Sequence, residues 1–100
     1  MNIREVAEGP QTQGANEKIT YTVTTTNWVS SPASVAMYVD DSDGTDVTST
    51  VCTGSTSVST NTITLKAISG LAAGERYKVR VQFTAGSGAP YEAFFYIDCE

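Results

Sequence analysis

One hundred residues suit one domain, with a core of modest size. Six basic and eleven acidic residues give a net charge of -5. That balance argues against nucleic acid, whose phosphates need a basic patch, and against docking on anionic lipid. No stretch approaches the ~20 apolar residues of a membrane span. The opening Met1-Asn2-Ile3-Arg4-Glu5 has no apolar signal region, so the expectation is a complete small protein made and kept in a cytoplasm. A domain cut from a longer secreted chain stays open as the other origin.

Thr, Ser and Val are abundant, and β-branched residues favour strands. In chain order, Ile3–Ala7 is a first, weak strand. Gly9-Pro10 and Gly14 then break the chain. From Lys18 to Thr25, Ile19, Tyr21 and Val23 alternate with Thr20, Thr22 and Thr24, the period of a half-buried strand. Ser30-Ser31-Pro32 ends it. Ser34–Asp40 is the third strand, with Val35, Met37 and Val39 inward.

The acidic run Asp40-Asp41-Ser42-Asp43-Gly44-Thr45-Asp46 follows. Asp41, Asp43, Gly44 and Asp46 imitate part of a calcium loop. The bidentate Glu such a loop needs is replaced by Cys52, and an Asp-Gly hairpin turn explains the same residues. Asp46–Val51 is a weak fourth strand. Ser49–Thr62 is a polar loop or a poor edge strand.

Thr62–Ile68 alternates again, with Ile63, Leu65 and Ala67 inward. Arg76–Thr84 is the clearest strand: Tyr77, Val79, Val81 and Phe83 alternate with Lys78, Arg80, Gln82 and Thr84. After Gly86-Ser87-Gly88, Tyr91–Cys99 places Tyr91, Ala93, Phe95 and Ile97 on one face. The sum is an all-β, seven-stranded antiparallel sandwich without any helix of consequence.

The chemistry-bearing residues are few. With no His, the chain lacks the usual general base near neutral pH, and Cys52 and Cys99 can form neither a standard zinc site nor a Cys-His nucleophile pair. No Ser sits in a Gly-x-Ser-x-Gly elbow, and no helix follows Gly86-Ser87-Gly88 to cradle a phosphate. The expectation is a binding protein with no catalytic residue, metal or cofactor.

The most specific segment is Ile68-Ser69-Gly70-Leu71-Ala72-Ala73-Gly74-Glu75-Arg76-Tyr77-Lys78-Val79-Arg80-Val81. Gly70 and Gly74 let the chain turn, Leu71 plugs the end of the core, and the hydroxyl of a buried Tyr77 must find a partner in the backbone just upstream. This segment resembles the corner between the fifth and sixth strands of fibronectin type III domains, within the wider immunoglobulin-like class. Ala73 stands where that family usually has Pro. Trp28 is out of phase with Ile19, Tyr21 and Val23, so it departs from the family's core Trp. Val23 and Val79 occupy the places of the immunoglobulin disulfide, so the resemblance is to a fibronectin-like or generic bacterial sandwich rather than to an antibody-type domain.

A looser resemblance bears on function. Short Thr/Ser-rich chains with this corner and a final aromatic strand are similar to small phage virion proteins, such as tail or fibre adaptors and capsid decoration proteins. The resemblance implies a structural role in a virion, with other virion proteins or copies of the same chain as partners. The alternative is an extracellular accessory module for carbohydrate or a cell surface. A cytosolic adaptor without viral links is the third reading.

In the proposed strand order the third, sixth and seventh strands are neighbours. Tyr38, Phe94 and Tyr96 then share an outer face with Lys78 and Arg80, the composition of a binding hot spot. The bland alternative is that the basic stems merely lie over the rings of a free surface. A third possibility is that the N-terminal segment or a longer loop covers them. The same order sets Cys52 and Cys99 toward opposite edges of one sheet, too far apart to bridge.

Overall fold

The computed structural model describes residues 2–5, 10–25, 31–86 and 88–100, and residues 2–5 by their backbone only. The elements in chain order are β1 (Asn2–Glu5), β2 (Gln11–Gln13), β3 (Ile19–Thr24), β4 (Ala33–Asp40), α1 (Thr48–Val51), β5 (Cys52–Thr53), β6 (Ser57–Ser59), β7 (Thr62–Ile68), β8 (Arg76–Thr84) and β9 (Pro90–Cys99). They form two packed sheets. One is five-stranded, in the order β1-β9-β8-β4, with β2 also on β9; the other is four-stranded, in the order β3-β7-β5, with β6 also on β7. The all-β sandwich expected from the alternation is therefore the fold.

Its core is the set of alternating inward positions. Val39, Ile63, Val79, Val81 and Ile97 are wholly buried, and Val23, Met37, Leu65, Phe83 and Phe95 nearly so. Each large apolar side chain so enclosed contributes roughly 1.5–3 kcal/mol relative to exposure.

Several expectations are corrected. The seven-strand count is too low, because short edge segments pair separately. β1 and β2 are successive segments on the same edge of β9, and β5 and β6 divide an edge of β7 in the same way. The sandwich is not wholly antiparallel: β1 and β2 both run parallel to β9. Asp46–Val51 is not a strand. Asp46 makes one isolated bridge to Asp40, and the chain then turns into the single-turn helix α1. Asp46 drives this, since its Oδ1 accepts hydrogen bonds from both the backbone N–H and the hydroxyl of Thr48.

On β7 it is Ile68, not Ala67, that is buried. Thr20 pairs with Ala67 and Thr22 with Thr64, so the one β3 residue between these pairs faces two on β7. The extra residue is a bulge, and it reverses the inward phase beyond Leu65. The strand expected at Ile3–Ala7 covers Asn2–Glu5. Its last two residues lie outside the described residues, as do Trp28 and Ser87.

The cysteines are both free, but not for the reason expected. Cys52 pairs with Ile68 in the four-stranded sheet, whereas Cys99 ends β9 in the five-stranded one. They sit in different sheets rather than at two edges of one.

A buried polar group joins those sheets. Gln13 on β2 is 0% exposed. Its Nε2 donates to the carbonyls of Ile68 (2.7 Å) and Glu17 (3.0 Å), while the Tyr21 hydroxyl donates to its Oε1 (2.9 Å). Both amide protons and the carbonyl are thus used, which is the condition for a buried amide to be tolerated.

Candidate partner-binding face

β8 is the spine of the outer face of the five-stranded sheet. Its inward residues are all buried, so the pleat must turn Arg76, Lys78, Arg80 and Gln82 to the other side. The register then fixes their neighbours. Tyr38 on β4 lies opposite Arg80, and on β9 Tyr96 lies opposite Lys78 and Phe94 opposite Arg80. The sheet therefore brings together all five residues expected on this face: Tyr38, Lys78, Arg80, Phe94 and Tyr96. Each is half-buried, and none belongs to the core cluster.

The cations lie over the rings. Arg80 sits 5.0 Å from the centroid of Tyr38, Lys78 4.6 Å from that of Phe94, and Arg76 4.9 Å from that of Tyr96. Phe94 and Tyr96 meet edge to face, with centroids 5.9 Å apart. A guanidinium or ammonium over a ring face is attracted by the ring quadrupole. Three of the chain's six basic residues are thus gathered on one strand of an acidic protein.

Two of the three are also neutralised at close range. Arg80 Nη2 donates to Asp40 Oδ1 at 3.1 Å, and its Nε lies 2.7 Å from Oδ2. Arg76 is forked on Asp98 at 2.6 and 3.1 Å. That pairing holds the Asp98 carboxyl below the usual carboxylate range. Gln82 donates to Glu92 at 3.0 Å on the same face. Among the described residues Lys78 has no such carboxylate. Asp40 lies opposite it in register but turns to Arg80 instead.

Arg76, Asp40 and Asp98 are the members that sequence reasoning missed. Stepping back two residues from Lys78 along the alternation would have found Arg76. The carboxylates needed the strand register, which no local pattern supplies.

The corner residues support this sheet at its end. Tyr77 is 6% exposed, and its hydroxyl accepts a hydrogen bond from the Ala72 N–H at 2.8 Å. Leu71 is buried. Gly70 and Gly74 have φ of 72° and 83°, where a side chain would be strained. The Gly74 N–H donates to the Cys99 carbonyl at 2.8 Å, tying the corner to the end of β9.

The acidic run forms a tight turn rather than a ligand cage. Asp41 Oδ1 accepts from the N–H groups of Asp43 and Thr45, both at 2.9 Å, and Gly44 takes a φ of 83°. The Ser42 hydroxyl donates to Glu75, fixing the turn beside the corner. Among the described residues no group of three or more His, Cys, Asp or Glu is placed to hold a metal ion. No helix among them is long and apolar enough to cross a membrane. No family model and no curated protein matches this chain.

Proposed function

We propose that this chain is a non-catalytic assembly protein that binds other proteins through the outer face of β4, β8 and β9. The observation that carries the proposal is the ring-and-cation ladder of Tyr38, Phe94 and Tyr96 with Arg76, Lys78 and Arg80. The outer face of a solvated sheet is ordinarily polar, and aromatic residues with Arg are enriched where proteins meet. The rings are stacked under cations rather than laid open as platforms, which favours a protein partner over the carbohydrate of the alternative reading.

In its finer form the proposal is a structural component of a phage virion, a tail or fibre adaptor or a capsid decoration protein. Its partners are then other virion proteins or further copies of itself. Composition and the fibronectin-like corner support this form. It is tested by the genes on either side and by a search for peptides of this chain in purified particles. Capsid and tail neighbours with the chain present in particles are expected; absence from particles sinks the virion form.

A further inference from the structure

We infer that Lys78 is the receptor for a carboxylate on the partner, which presents an Asp or Glu side chain flanked by apolar residues on an extended segment. This rests on the partner-binding reading of the face. The three cations there differ in standing. Arg76 and Arg80 already hold Asp98 and Asp40 in two-point contacts, so an incoming anion must displace an internal one. Lys78 carries no ion pair among the described residues and lies over Phe94 at 4.6 Å. A partner covering Phe94 and Tyr96 therefore also covers the Lys78 ammonium.

An ammonium removed from water without a counter-charge is strongly unfavourable. A partner that brings only apolar surface to these rings must meet that cost, and one that brings a carboxylate offsets it. Two features point to a protein carboxylate rather than a nucleic acid. A phosphate backbone requires several free cations along a track, and the surrounding chain has a net charge of -5. The pleat sets Lys78 between Arg76 and Arg80 and opposite Tyr96, so the receiving surface is a single cation framed by rings. An isolated acidic residue between apolar neighbours is its complement.

The test uses two short extended peptides of valine, tyrosine and threonine, identical except for a central glutamate or glutamine. Each is titrated into the isotope-labelled full chain while backbone amide shifts are followed. The glutamate peptide should shift amides around Lys78, Phe94 and Tyr96 and bind about five- to tenfold more tightly than its glutamine twin. Lys78→Gln should erase that difference, and Lys78→Arg should keep it. If both peptides bind the face equally, or the difference survives Lys78→Gln, the carboxylate inference is overturned and the face remains an interface. If neither shifts the face up to millimolar concentration, both are overturned.

Discussion

The Ala72 N–H donates to the Tyr77 hydroxyl at 2.8 Å, so the ring that closes one end of the core also fastens the crossing between sheets. Tyr77→Phe keeps the ring and removes the acceptor. Ala72 is exposed and the bond is only part-buried. The expected loss is therefore near the low end for a buried hydrogen bond, about 1 kcal/mol. Urea unfolding of the variant checks this, and an unchanged midpoint would remove the corner from the account of stability.

Gln13 and Tyr21 should be more sensitive. Gln13→Ala strands the Ile68 carbonyl and the Tyr21 hydroxyl, and a loss of about 2–4 kcal/mol is expected. Tyr21→Phe alone should cost about 1–2 kcal/mol, and the two should be strongly non-additive. Burial foremost, and then the Glu17 charge, push the Tyr21 hydroxyl pKa upward. The unfolded chain therefore loses this proton first as pH rises. The contribution is complete below the unfolded value of about 10 and drains away above it. Burial raises Cys52 and Cys99 in the same sense. Unfolding followed from about pH 8 to about pH 11 should show falling stability, with a shallower fall in Tyr21→Phe.

The two ion pairs on the outer face should be unequal. The side chains of Arg80 and Asp40 are 28% and 16% exposed, against 53% and 45% for Arg76 and Asp98. Solvent screens the second pair more completely. Asp40→Asn is expected to cost about 1–2 kcal/mol and Asp98→Asn under about 0.5 kcal/mol. Equal losses in thermal unfolding would contradict the assigned burial.

Thr60, in the tight connection between β6 and β7, has a φ of 55°. A β-branched residue is strained there. Thr60→Gly should stabilise the protein by about 0.5–1 kcal/mol, read as a higher melting temperature. A lower one would show that the Thr60 side chain makes a contact worth more than the strain.

The legible parts of this fold were those written as period-two alternation. β8 is readable outright, because Tyr77, Val79, Val81 and Phe83 alternate without interruption. The shared face followed from it, since a pleat plus the neighbouring order of β4, β8 and β9 puts Tyr38, Phe94 and Tyr96 on one side of the sheet. What stayed hidden depends on pairing rather than pattern. The bulge that buries Ile68 in place of Ala67 exists only as a mismatch between β3 and β7. The parallel edge formed by β1 and β2 needs β9, some ninety residues away in sequence. Gln13 gave no signal because a polar residue in a short segment reads as surface, and its burial depends on three partners, one of which, Ile68, is 55 residues away.

The central claim is that the outer face of β4, β8 and β9 is a binding surface, and its most direct test is the double variant Phe94→Ser with Tyr96→Ser. Both rings lie outside the core cluster, so the fold should survive, with a circular dichroism spectrum like that of the unaltered chain. Sedimentation velocity of each protein, alone and with candidate particle proteins, then measures assembly. The account predicts that the unaltered chain forms complexes and that the folded double variant forms them at least tenfold more weakly, a difference of about 1.4 kcal/mol or more. A folded double variant that assembles as well as the unaltered chain would contradict it.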